Sequence, residues 1–259
     1  MKRRALDVLL PLLLVAILLG AWELYVDLGG VDPAVLPAPH AMAASFWNNA
    51  GLIWANFRVT AKEVVIGLAL ALLSGFAVAV AIHMSPLFRR AAYPLAVGSQ
   101  AIPIPVVGVL LVFWWGFGIF PKLVVITLIC FFPVLVTTVD ALAAVDPDQL
   151  KLLRTFDATR WQAFRFAELP AALPAAISGA RIALAVGVIG AFIAEVTTAT
   201  TGPHPGLGRQ ITTDIGFQSA RAYAGTAVLF LFAIACFYTL SLLERRLAPW
   251  ANQARGGIS

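Results

Sequence analysis

Six long apolar runs dominate the chain, at about residues 6–27, 62–84, 91–116, 121–144, 171–197 and 222–243, with polar stretches between them. Each can supply the roughly 20 residues that a helix needs to cross a bilayer. The first follows Met1-Lys2-Arg3-Arg4, as in a secretory leader, but Glu23-Leu24-Tyr25-Val26-Asp27 offers no small-residue cleavage site after it. It reads as an uncleaved first helix. The third run is interrupted by Ser99-Gln100-Ala101-Ile102-Pro103-Ile104-Pro105, where two prolines remove donors and free nearby carbonyls. The expected fold is all-α, six transmembrane helices in a single membrane domain over residues 1–259.

Two polar stretches are more than connectors. Residues 145–169 carry their own helix signals: Asp146-Pro147-Asp148 supplies an N-cap, a proline for the first turn and an early acid. Asp157 offers a second cap before Ala158-Thr159-Arg160-Trp161-Gln162-Ala163-Phe164-Arg165, and Pro170 and Pro174 open the fifth run. Residues 33–57, with Leu36-Pro37-Ala38-Pro39 and then Phe46, Trp47, Ile53 and Trp54, read as an outer interfacial helix.

Composition closes off the soluble alternative. Hydrophobic residues make up 61% of the chain and charged residues 12%, with a mean hydropathy of +0.89. A soluble domain carries about 25% charged residues, so much of this apolar surface must face lipid. The net charge of +5 is scattered, without a basic patch interleaved with aromatics, which argues against nucleic acid as a partner. Placed on the six-span scheme with the N-terminus inside, the bases fall unevenly. Lys2, Arg3, Arg4, Arg89, Arg90, Lys151, Arg154, Arg160, Arg165, Arg245, Arg246 and Arg255 are cytoplasmic. Arg58, Lys62, Lys122, Arg209 and Arg221 are outside, and Arg181 is left within a span. This bias places both termini in the cytoplasm. Cys130 and Cys236 lie in apolar runs as small hydrophobes, and His40, His83 and His204 show no metal-ligand spacing. No G-x-x-x-x-G-K-[ST], H-E-x-x-H or G-x-S-x-G occurs, so neither a phosphate loop nor a catalytic motif is present.

Several residues interrupt the apolar spans and are candidates for a translocation path or gate. Gln100, Pro103 and Pro105 mark irregular backbone, which at membrane depth is tolerated only against protein or a water-filled cavity; the alternative is a packed kink. Arg181 lies about 15 Å up the fifth helix from Pro170, too deep to snorkel fully, and faces the interior as an anchor or near the path. Glu195, about 21 Å further along and about 40° around, belongs either to an outer gate or to the interface. Trp114, Trp115 and Phe132 line a cavity or form an aromatic belt.

The loop also carries a resemblance. Asp157-Ala158-Thr159-Arg160-Trp161 with Leu169-Pro170 is similar to the cytoplasmic signature of permease subunits of binding-protein-dependent ABC importers, E-A-A-x-x-x-G followed by I-x-L-P. Thr60, Gly67 and Gly75 are similar to that family's T…G…G pattern. Phe113-Trp114-Trp115-Gly116-Phe117-Gly118, Phe131-Phe132-Pro133, Val139-Asp140, Gly179-Ala180-Arg181-Ile182 and Pro205-Gly206-Leu207-Gly208 resemble its nitrate/sulfonate/taurine-type branch. The likeness covers about residues 36–245. Within the signature, Lys151 takes the Glu place, Leu152-Leu153 the two alanines, Asp157 the glycine and Ala167 the isoleucine; only Leu169-Pro170 is intact. Asp157 must therefore either adopt a left-handed turn or cap a helix.

The resemblance implies a type I importer permease in a bacterial inner membrane, working as a homodimer. Its partners would be two ABC ATPase subunits and an extracytoplasmic binding protein docking on 33–57 and 198–221. ATP and Mg would be bound by the ATPase, and this chain would carry no cofactor and no catalytic residue. A pump without an ATPase of its own must receive work mechanically. Arg154, Asp157, Ala158, Thr159, Arg160, Trp161, Phe164 and Arg165 are the expected coupling residues, as aromatic anchors and guanidinium forks. The alternative for the loop is a basic segment that only sets topology. The branch implies small anions such as nitrate, sulfonates or taurine. Glu168-Leu169-Pro170 and Ile189-Gly190-Ala191-Phe192-Ile193-Ala194-Glu195 are more similar to relatives handling pyrimidine vitamin precursors or riboflavin. A gradient-driven transporter or channel is the competing function.

Overall fold

The computed structural model describes residues 2–198 and 203–247, with side chains described for 9–198 and 203–242; of the anticipated outer loop, residues 199–202 lie outside the described residues, as does Arg255. The described chain is helical: α1 (Lys2–Gly29), α2 (Pro39–Asn48), α3 (Ala50–Met84), α4 (Pro86–Ser99), α5 (Ile104–Trp115), α6 (Ile119–Ala143), α7 (Pro147–Thr155), α8 (Arg160–Ala163), a π-helical turn (Phe164–Glu168), α9 (Leu169–Thr197), α10 (Leu207–Asp214) and α11 (Ser219–Leu247). Five helical stretches are long and apolar enough to cross a membrane, and six if the bent pair α4 and α5 counts as one span.

The anticipated third span is the bent one. Its two halves meet at 99°. The turn between them is closed by the Gln100, Ala101 and Ile102 amides bonding to Val97, Gly98 and Ser99 carbonyls, and Pro103, which has no N–H, begins the next helix. Two other expectations need correction. The interfacial segment 33–57 is not one helix: it breaks at Asn49, after which α3 runs for 35 residues. At 1.5 Å per residue, about 52 Å, α3 exceeds the hydrocarbon thickness of roughly 30 Å. The fifth span does not open at Pro170 either, because helix is continuous from Arg160 to Thr197.

The chain divides into two compact units, residues 1–59 with 202–230, and residues 60–201 with 231–259. In the first, α10 is packed rather than dangling. Leu207 and Ile211 are buried, and a side chain at Gly225 would come within 3.2 and 3.1 Å of them. A polar chain runs beneath: Asn56 Nδ2 donates to Gln210 Oε1 (2.8 Å), the Gly206 amide donates to Asn56 Oδ1 (3.2 Å), and Arg221 forks onto Asp214 at 2.7 and 2.5 Å. Ser219 and Tyr223 donate to the Ala34 and Val35 carbonyls.

The second unit is built on close helix contacts. Gly67 and Gly75 of α3, and Gly179, Gly187 and Gly190 of α9, all lie against α6. A Cβ at Gly67 would be 2.5 Å from Ile126, and one at Gly179 would be 1.8 Å from Thr137 Oγ1. Small residues every fourth position let backbones approach where lipid gives no hydrophobic drive to associate. The core formed there includes Val64, Ala71, Val125, Ile126, Cys130, Ala183 and Ala191.

Candidate functional site

Residues 145–169 fold as a helix, a left-handed turn and a second helix running straight into a span. Asp146 caps α7 by accepting from the Asp148 amide (2.9 Å), with Pro147 at the first turn. The chain then reverses at Asp157, whose φ is +55°, while the Asp157 and Ala158 amides bond to the Arg154 and Leu153 carbonyls. Aspartate tolerates this conformation better than most side chains, so it can stand where glycine is usual. It does not cap the next helix. Thr159 does, accepting from the Gln162 amide (3.3 Å) while Gln162 Oε1 accepts from the Thr159 amide (2.7 Å).

The surface presented there differs in part from the expected set. Trp161 is 56% exposed, and Arg154 and Arg165 also face outward. Phe164 is only 3% exposed and packs with Leu142 and Ala172, so it serves the core and cannot anchor a partner. Ala158 is half-buried. Leu152, Phe156 and Phe166, not anticipated as anchors, are exposed in the same segment as Trp161. Phe156 could have been suspected, since it directly precedes the left-handed residue in a polar turn.

Arg160 points inward to a joint. Its Nη1 donates to Glu168 Oε1 at 2.6 Å, and His83 Nε2 lies 2.8 Å from Glu168 Oε2 and 2.9 Å from Arg160 Nη2. Nε2 holds a single proton position, so it either donates to Glu168 or accepts from Arg160. Glu168 is buried, on the π-helical turn that joins α8 to α9, and His83 stands in the last turn of α3. This joint ties the segment 160–168 to two spans.

The candidate path residues separate. Gln100 and Phe132 come together around an open cavity of about 350 Å³, with Pro133, Val136, Thr137 and Ile182. Thr137 Oγ1 donates to the Pro133 carbonyl (2.6 Å), leaving its lone pairs for a ligand. Pro103 and Pro105 form the bend but do not line this cavity, and Trp114 is exposed and stacked edge-on against Trp115 at 5.7 Å. Arg181 turns to α11, donating to Ser241 Oγ (3.2 Å) with its guanidinium 5.8 Å from the Phe237 ring.

Glu195 is fully buried, not interfacial: Thr60 Oγ1 donates to its Oε1 at 2.5 Å. Beside it Lys122 Nζ bonds Glu63 Oε1 at 2.9 Å. Lys122, expected among the outer loop charges, is 1% exposed. Its position at the start of an apolar run imitates a flanking charge, and Glu63 was not singled out at all.

A family model described as "Binding-protein-dependent transport system inner membrane component" matches residues 67–252. The chain belongs to this family. Among curated relatives, a probable ABC transporter permease of Haemophilus influenzae is 33% identical over 91% of this chain and 95% of its own. The formylaminopyrimidine transport permease ThiX of Halalkalibacterium halodurans is 31% identical over 97% of this chain and 99% of its own. The riboflavin transport permease RibX of Chloroflexus aurantiacus is 32% identical over 90% and 87%. The taurine permease TauC of Escherichia coli is 28% identical over 93% and 89%. Among solved structures, one titled as an amino acid ABC transporter with histidines superposes with a TM-score of 0.62 at 18% identity, over 79% of this chain and 98% of that one. The likeness shows a shared fold. In this ABC transporter permease the matched region contains the Glu168 joint, the Gln100 cavity, Lys122 and Glu195; α1, α2 and the start of α3, with Thr60 and Glu63, precede it.

Proposed function

We propose that this permease forms the solute pathway of an ATP-driven importer for a neutral aromatic heterocycle of the pyrimidine-precursor or riboflavin class. It works as a homodimer in a bacterial inner membrane, both termini cytoplasmic. ATP and Mg are held by a separate ATPase bound at 145–169, and a binding protein delivers the solute from outside. The cavity beside the bend carries the substrate assignment. Gln100 offers an amide donor and acceptor, Thr137 offers acceptor lone pairs, Phe132 offers a ring, and no charged side chain lines the cavity among the described residues. A sulfonate or nitrate needs cationic or multiple N–H partners, whereas a flat heterocycle needs a stacking face and a few polar contacts. The relatives that transport formylaminopyrimidine and riboflavin support the same reading.

Coupling follows from the loop. Exposed Leu152, Phe156, Trp161 and Phe166 give this segment apolar and aromatic anchors for an ATPase pocket, with Arg154 and Arg165 as forks for carboxylates. Because Arg160 is bound to Glu168, displacement of this segment acts on α3 and α9 together. Reconstitution with the ATPase and binding protein tests the proposal. Uptake of a labelled aminopyrimidine should require ATP and fall at least tenfold in Q100A and F132A. Uptake of taurine by wild type, unaffected by either change, would overturn the substrate assignment. Uptake driven by an ion gradient with no ATPase present would replace the importer with a secondary transporter.

A further inference from the structure

Where α3, α6 and α9 meet, the second unit buries Thr60, Glu63, Lys122 and Glu195, each at most 2% exposed. Three ionisable groups stand in one dry site, two acids and one base. Lys122 Nζ bonds Glu63 Oε1, and Thr60 Oγ1 bonds Glu195 Oε1. Glu63 Oε2 is buried and receives no donor among the described residues. Thr60 and Glu63 are three residues apart on α3, so Glu195, held by Thr60, and Glu63 stand at the same turn of that helix.

Two ionised carboxylates offer only acceptors, so such a pair can join only with a proton on one of them. The charge count agrees. With both acids ionised against one ammonium, the site would hold a net negative charge away from water, and like charges that close do not both ionise. One proton makes the site neutral. The base paired with the site is Lys122, and the adjoining core takes apolar side chains from α5 and α11, Leu111 and Phe232 among them.

We propose that Glu63 and Glu195 share one resident proton, held beside Lys122 and Thr60, and that this junction of three spans is a proton-binding site of the permease. The pair titrates as a unit, and neither residue owns the proton. On release the proton goes to solvent and the junction is left with an uncompensated negative charge. The junction is therefore stable while occupied and loosens at alkaline pH.

The test is infrared spectroscopy on the full-length permease labelled with [13C-carboxyl]glutamate, without substrate or nucleotide, so its outcome is independent of what is transported. At pH 7, wild type should show a protonated-carboxyl C=O band that moves with the label and disappears at alkaline pH. The band should be absent from both E63Q and E195Q, in which the amide supplies the missing donor and the cluster is neutral without a proton. In K122Q it should roughly double, since two acids without a base need two protons. Wild-type spectra need no substitution, so misfolding of a variant leaves the test intact. A wild-type spectrum lacking the band at pH 7 overturns the proposal. So does a band that survives in either glutamine variant.

Discussion

α9 has a buried glutamate at each end, and the two are held in opposite ways. Glu168 and Glu195 are 27 residues apart, about 40 Å along the helix. Glu195 is sealed: its neighbours Thr60, Glu63 and Lys122 are all buried. Glu168 is reached from solvent, because the side chain of Arg160 that pairs with it is 47% exposed and His83 is partly so. A charge in a sealed site has no water to turn to when a partner is lost, and the whole desolvation penalty appears at once. A charge at the edge can re-solvate and re-form. The first arrangement suits a fixed joint between spans, the second a joint that is pushed and released.

The sharpest way to break this contrast is K122M. It leaves the two acids of the sealed site without their base and should cost roughly 3–5 kcal/mol, read as thermal or denaturant unfolding in detergent. E168Q should cost less, about 1–3 kcal/mol, since Arg160 can turn to water. Its larger signature should be functional: ATP hydrolysis by the assembled transporter continues while uptake falls. If E168Q proves as destabilising as K122M, the two ends are alike and the contrast fails. T159A removes the capping box of α8 and should cost about 1 kcal/mol, with a matching loss of coupling if the start of α8 must be rigid.

The smallest effect belongs to a surface pair, half-buried Glu23 with exposed His40. The hydrogen bond from His40 to Glu23, and then the carboxylate charge, raise the histidine above its ordinary value. Its folded pKa is raised, so its stabilising contribution is complete below about pH 6.5 and is lost as pH rises through the elevated value. The protection factor of the residue-40 amide, which also bonds Glu23, should fall across that window in wild type, once the intrinsic rise of exchange with pH is divided out. H40Q should remove that fall.

Much of this was legible in the chain. Apolar runs marked the spans, Pro103 and Pro105 marked the bend, and Asp146-Pro147 marked the start of α7. The sealed cluster was not, because its members are distant in sequence and Lys122 sits where topology charges usually sit. A signal did exist. Glu63 lies one four-residue step before Gly67, Ala71, Gly75 and Ala79; Glu195 lies one step after Gly179, Ala183, Gly187 and Ala191; and Lys122 leads Ile126, Cys130 and Val134. Each charge extends the stripe along which its helix packs, so each had to be buried among helices. The inward turn of Phe164 had no comparable signal, since neighbouring aromatics in a short helix differ only in which faces the bundle.

The π-helical turn at Phe164–Glu168 sets a rule about length. It closes with the Leu169 amide on the Phe164 carbonyl, one residue wider than an ordinary helical bond. Five residues fill a turn that four would fill in regular helix, so the extra residue is absorbed locally and α9 keeps the phase of α8. Deleting one residue there would close the bulge and leave the glycine face of α9 on α6, whereas a one-residue loss further along, where the helix is regular, would turn everything beyond it by about 100°. In this short segment, then, residue number carries a tolerance: length can change by one residue here without putting α9 out of phase with the helix it packs on.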